Sequence, residues 1–309
     1  MEKQDISVKA LCMTELKLHE MVTNRTQKYL SQMELCRQKP GEEAIHDVRV
    51  AARRLSAALR FCEGYLPAKR VAKVQVKLAG LLKMLNPLRD AQVMAASIAD
   101  TAHPLHSDMQ FAAWLRRQAS EQEQIAEVAF GKAKPPGPSP KSLAALFAKA
   151  SKKTRRSDPL RSLKMADAAF AKCLRRQEQI DPANPDTIHS YRVAFKKFRY
   201  TTELATQVLP ENEGIPTTVF KAMHDHQQLL GQIQDLDVLQ TTYRRFLAHE
   251  QRPNPAGCQA MAAQMDALIA DLMEQMTWLI TFWRISTSKP YPWQSCAVRD
   301  THPDASHPL

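Results

Sequence analysis

Glycine is scarce in this sequence, with eight in 309 residues, and aromatic residues make up only 6%. β-branched runs with a period of two between turn residues are essentially missing, which leaves little material for strands or hairpins. No apolar run approaches the roughly 18 residues that a membrane span needs. The charged start "MEKQDISVKALCMTELKLHE" has no apolar export segment. The six cysteines, Cys12, Cys36, Cys62, Cys173, Cys258 and Cys296, form no C-x-x-C pair. That pattern argues against a zinc site or a disulfide scaffold and fits a reducing compartment. The expectation is a cytoplasmic protein that does not enter a membrane.

What is abundant is helix-forming sequence and positive charge. Long stretches rich in Ala, Leu, Gln, Lys and Glu favour an all-α chain. Lys and Arg number 43 against 32 Asp and Glu, a net charge of +11, which calls for an anionic partner or surface.

The chain divides at "GKAKPPGPSPK", Gly131 to Lys141, where four prolines and two glycines predict an extended linker. The two sides repeat each other. "AIHDVRVAARR" (Ala44 to Arg54) returns as "TIHSYRVAFKK" (Thr187 to Lys197), at an offset of 143 residues from His46 to His189. Leu66-Pro67 returns as Leu209-Pro210 at the same offset, and "LNPLRDAQV" (Leu85 to Val93) returns as "LGQIQDLDV" (Leu230 to Val238) at 145. Three matches at nearly one spacing mark an internal duplication. Four helices are expected in each half. The first set falls near residues 6–38, 44–65, 68–101 (broken at Asn86-Pro87) and 106–130. The second falls near 159–180, 186–208, 216–249 (broken at Gly231) and 256–285. The predicted domains are therefore 1–130 and 142–285, joined by the linker 131–141, with a disordered, proline-containing tail over 286–309.

At 100° per residue, His46, Arg49, Arg53 and Arg60 share a stripe about 60° wide. Ile45, Val48, Ala52, Leu55 and Leu59 lie on the other side. The second copy sets His189, Arg192, Lys196 and Arg199 against Ile188, Tyr191, Phe195 and Phe198. An ordinary solvated helix face mixes signs and gains from pairs four residues apart. Between His46 and Asp90 there are instead ten Lys or Arg and three acids, and Lys69, Lys73 and Lys77 add a second one-sided row. Such rows repel each other unless something negative lies along them. The histidines read as anion contacts or as orienting hydrogen bonds beside one.

H-D-x-R-V-A-x-R-R-L followed by L-x-x-x-R-D-x-x-V, written twice in an all-helical chain, resembles the CHAD family (conserved histidine α-helical domain) over roughly residues 6 to 285. The resemblance implies two four-helix bundles related by a pseudo-twofold, with a basic groove or pore between them. It further implies binding of inorganic polyphosphate and association with polyphosphate granules and other granule proteins. Carried over by position, the first motif supplies His46, Arg49, Arg53 and Arg54, and the second His189, Arg192, Lys196, Lys197 and Arg199. Arg89 and Asp90 match the Arg-Asp element, whose second copy reads Gln234-Asp235. Arg60, Lys73, Lys77 and Lys221 complete the expected binding set. Ser56 stands where Arg199 stands in the second copy, and Asn86 replaces a glycine, so the halves are unequal. The aspartates are expected to hold the motif arginines rather than a metal.

Polyphosphate also suits the residues on physical grounds, because arginine forks grip phosphate oxygens in pairs and lysines act as mobile point charges. Catalysis is not expected, and neither is a cofactor or a metal. No G-x-x-x-x-G-K-[ST] occurs, and "EQEQI" (Glu121 to Ile125) lacks the lysine of an E-x-E-x-K phosphate tunnel. His46-Asp47, the pair of a metal-dependent phosphohydrolase, becomes His189-Ser190 in the repeat. Nucleic-acid binding is the main alternative, and "KASKKTRRS" (Lys149 to Ser157) would suit a phosphate backbone. The low aromatic content leaves few side chains on which bases could stack.

Overall fold

The computed structural model describes residues 2–39, 41–63, 65–99, 109–132, 136–147, 161–209, 215–276, 283–284 and 288–291. Among them there are nine helices and no strand: α1 (Glu2–Gln38), α2 (Glu42–Phe61), α3 (Ala68–Ala99), α4 (Met109–Gly131), α5 (Pro140–Phe147), α6 (Arg161–Gln177), α7 (Pro185–Val208), α8 (Thr217–His249) and α9 (Pro255–Gln275). Two compact units emerge. The first comprises Met1–Arg161 with Asp235–Ala263, and the second Ser162–Gln234 with Gln264–Leu309. The division runs through α8 and α9, so the second half of the sequence supplies helix to both units.

In the first unit α1 packs on α2, α2 on α3, and α3 on both α4 and α5. Ile45, Val48, Ala52, Leu55 and Leu59 of α2 are fully buried, as their spacing predicts. Phe111 of α4 sits 4.9 Å from Tyr243 and 5.1 Å from Phe246 of α8, centroid to centroid. In the second unit Ile188, Tyr191, Phe195 and Phe198 turn the apolar arc of α7 inward. Phe170 of α6 and Trp283 close over Phe198. Local sequence starts α7 firmly: the Asn184 side chain accepts from the Asp186 amide at 3.2 Å, and Pro185 holds the first helical position.

The helices differ from their expected limits in four places. α3 runs straight through Asn86-Pro87, because Leu85 and Leu88 are buried on either side while Pro87 is exposed. Packing on both flanks offsets the one backbone bond that proline removes. α8 likewise runs through Gly231, whose neighbours Leu230 and Ile233 are buried. α2 stops at Phe61, well short of the Leu66-Pro67 stop.

The fourth difference is α5, where the sequence predicts only linker. Ser139 caps it, its hydroxyl accepting from the Ser142 amide at 3.3 Å, and Leu143 and Leu146 are fully buried. Just ahead, Gly137 has φ +96° and lies against the Tyr29 hydroxyl, so a side chain fits neither its backbone nor its space. Past Ser286 the sequence predicts disorder, yet Tyr291 is buried and donates to Asp167 at 3.1 Å. Asp167 also accepts from Trp283 Nε1 at 3.0 Å and pairs with Arg284. The basic run Lys149 to Ser157 lies outside the described residues.

Candidate anion-binding site

In the first unit one candidate residue, Arg49, is buried, and the others around it are half-buried or exposed. Arg49 is 4% exposed and donates from its guanidinium to the Leu85 carbonyl of α3 at 2.6 Å. Burial pushes its pKa down to about 10, and neighbouring Arg53 and Arg89 push the same way while Asp90 opposes them. Asp90 is raised from the ordinary carboxylate value by burial, against the pull of Arg49, Arg53 and Arg89. Three guanidinium groups thus act on each other around one carboxylate, and the repulsion is unbalanced within the cluster. Arg53 and Arg89 are half-buried, whereas His46, Arg54 and Arg60 are exposed. Arg60 donates to the Ser56 hydroxyl at 2.9 Å, and that hydroxyl donates to Gln75 of α3 at 2.6 Å. Ser56 is thereby a joint between α2 and α3.

Lys73 and Lys77 are placed elsewhere on α3, where they line an open pocket of about 600 Å³ with α5. The sequence reading missed Arg70 of this pocket, although it lies three residues before Lys73 on the same helix face. Arg70 donates to the Ala145 carbonyl and so ties α5 to α3.

The second unit arranges its copy differently. The exposed His189 makes a hydrogen bond through Nδ1 with the Gln234 side chain of α8. Arg192 and Lys196 are half-buried and Lys197 is exposed. Arg199 pairs with Glu203 one turn on at 2.9 Å and reaches His224 Nδ1 at 3.5 Å. Lys221 pairs with Asp225 at 2.9 Å on its own helix, with both side chains more than half exposed. His224 is exposed and His226 is 1% exposed, so the His-Asp-His run points its two histidines apart. His226 lies under α7, where its Nε2 is hydrogen-bonded to the Tyr191 hydroxyl at 2.8 Å. Among the described residues no group of three or more His, Cys, Asp or Glu could hold a metal ion, and no helix is long and apolar enough to cross a membrane.

Both copies of the histidine-led helix thus carry cations at matched positions, tied by their neighbours to the Leu-x-x-x-Arg-Asp region of α3 or its counterpart in α8. A family model for the CHAD domain matches residues 20–244, which spans both copies. The chain belongs to the CHAD domain family. Solved structures with the CHAD fold include the CHAD domain from the plant Ricinus communis. It is 18% identical and aligns over 86% of this chain and 89% of that one, with a TM-score of 0.61. PptA from Streptomyces chartreusis is 16% identical over 86% of this chain and 95% of that one, with a TM-score of 0.57. No curated protein matches the chain. At these identities the likeness extends to the fold of this CHAD protein alone.

Proposed function

We propose that this CHAD protein binds inorganic polyphosphate without acting on it, through the cations of α2 and α3 in one unit and of α7 in the other. The observation that carries the reading is the cluster of Arg49, Arg53 and Arg89 around the single carboxylate of Asp90. A polyanion lying along the exposed edge of that cluster relieves a repulsion that the fold otherwise bears. His46, Arg54 and Arg60 extend the positive surface, and His189, Arg192, Lys196, Lys197 and Arg199 supply the matching surface of the second copy. A polymer with about one charge per phosphate can engage both copies at once. Linking two modest sites in one chain raises avidity by roughly 10²–10⁴. Cytoplasmic residence and attachment to polyphosphate granules follow from this reading, as does the absence of a cofactor.

The test is a titration with long-chain polyphosphate, ATP, and single- and double-stranded DNA at several salt concentrations. Polyphosphate should bind far more tightly than ATP, and its affinity should fall steeply with salt through counterion release. Equal affinity for ATP and polyphosphate at matched salt overturns the proposal, and tighter binding of DNA replaces it with nucleic-acid binding.

A further inference from the structure

Two surfaces of the first unit carry exposed apolar side chains that a polyanion does not use, and their chemistry is complementary. One is the α3–α5 pocket of about 600 Å³, lined by Ala72, Val74, Val76 and Ala145 with Arg70, Lys73 and Lys77 among them. No lining residue is acidic; α3 has no acid before Asp90, and α5 has none. Val76 is 72% exposed, a large apolar side chain held in water beside two lysines. Polyphosphate has no apolar part and so gains nothing from such a lining.

The other surface is the outward face of α4 over residues 121–128, "EQEQIAEV", which holds three glutamates and no cation. Ile125 and Val128 are 53% and 65% exposed there. With Glu121 they share about 60° of arc, and Glu127 lies about 100° round from Val128. The inward face of α4, formed by Phe111, Leu115, Ala126 and Phe130, is already buried, so this outer stripe does not serve the unit's own core.

We propose that the α3–α5 pocket receives the outer face of α4 from a second copy of this chain, making the protein self-associate. The stretch 70–77 of α3 and the stretch 121–128 of α4 are the same length, ~10 Å of helix each. The apolar pair Ile125 and Val128 would cover Val76, while Glu121 and Glu127 meet Lys73 and Lys77. This is an amphipathic helix laid into an apolar groove with opposite charge at its rim.

The experiment is sedimentation velocity on the full chain across a range of protein concentrations, with no polyanion present. The wild type should shift from monomer towards dimer as concentration rises. Val76→Asp and Ile125→Asp should each remove that shift while helix content stays unchanged, since both side chains are exposed. Neither residue belongs to the polyphosphate set, so the two proposals can fail separately. A charge exchange makes the test specific to this pair of surfaces. Lys73→Glu with Lys77→Glu should be monomeric alone, as should Glu121→Lys with Glu127→Lys. Mixed together they should associate, because every basic surface then meets an acidic one. A wild type that stays monomeric throughout overturns the proposal. So does a dimer that survives Val76→Asp and Ile125→Asp, or a mixture that stays monomeric.

Discussion

α2 and α7 are copies of one helix that have diverged most in what lies beneath their first arginine. From His46 to Arg60 the first copy has four cations and one acid, and from His189 to Glu203 the second has the same balance. Equal charge is deployed unequally. In α2 the motif arginine, Arg49, is buried and spends a hydrogen bond on the Leu85 carbonyl. Its counterpart in α7, Arg192, is half-buried. At the offset of 145, Arg89 corresponds to Gln234, so the place that adds a third guanidinium to the first cluster bonds His189 in the second. Further along, Ser56 and Arg60 correspond to Arg199 and Glu203. One copy has a neutral joint followed by an exposed cation, and the other an ion pair. Duplication thus preserved the total charge while one copy became a packed cluster and the other a more open row.

The largest expected effect breaks this comparison at its centre. Arg49→Glu places a carboxylate in a buried position facing the Leu85 carbonyl and beside Asp90. Breaking a buried charged contact in this way costs on the order of 3–5 kcal/mol. Arg192→Glu should cost less than about 2 kcal/mol, because its site is partly open to water. Urea denaturation of the two variants measures the difference, and polyphosphate titration should show weakened binding for Arg192→Glu in a folded protein. Equal stability of the two variants means that Arg49 is not the anchor that its burial indicates.

The second prediction uses acid. Val48 of α2 corresponds to Tyr191 of α7, so the second copy has a polar network where the first has an aliphatic contact. Tyr191 is hydrogen-bonded to His226, whose pKa burial lowers from 6.5 to about 4, against Gln275 and Asp271, which favour the proton. Between those values the unfolded chain takes a proton that the folded protein refuses. Stability is therefore complete above pH 6.5, falls as pH drops towards 4, and levels off below. The loss from this group is on the order of 3 kcal/mol, at about 1.4 kcal/mol per pKa unit. Hydrogen exchange, corrected for its intrinsic pH dependence, should show α7 losing protection across this window more than α2. His226→Gln should flatten the dependence. If the acid sensitivity of α7 is unchanged in that variant, another group is responsible.

Much of this architecture was legible because it depends on where each Cα–Cβ bond points. Periodicity alone placed Ile45, Val48, Leu55, Ile188, Phe195 and Phe198 in the core, and the repeat spacing located both motif helices. Arg49 shows what helix angles leave open. Its position lies next to that of Ile45 around the helix, and a side chain with four rotatable bonds can turn from there either to solvent or to a carbonyl of α3. Helix angles do not distinguish these courses; the partner Leu85 does. α5 escaped notice because eight residues are too few to establish a period, and proline at its first position reads equally as a breaker. The composition around Tyr291 reads as disorder, whereas Asp167, more than a hundred residues away, holds it in place. The candidate pocket on α3 was half visible, in the row of Lys73 and Lys77, but its other wall depends on α5.

The smallest expected effect sharpens the comparison at the far end of the two helices. Arg199 is bound to Glu203 at 2.9 Å, with the two side chains 18% and 35% exposed. A pair this accessible to water contributes only about 0.2–1 kcal/mol, so Glu203→Gln should leave the melting temperature nearly unchanged. It should nevertheless free the Arg199 guanidinium from its local carboxylate and give α7 one more net positive charge than α2. Polyphosphate affinity should rise, and the slope of log affinity against log salt should steepen by about one. Arg60→Ala makes the opposite change in the first copy, at the position equivalent to Glu203, and should weaken binding and flatten the slope by a similar amount. In the double variant the two changes to the slope should cancel if the copies contribute charge to one polymer. If Glu203→Gln alters neither affinity nor slope, Arg199 lies outside the contact surface, and its pairing with Glu203 serves only to hold α7.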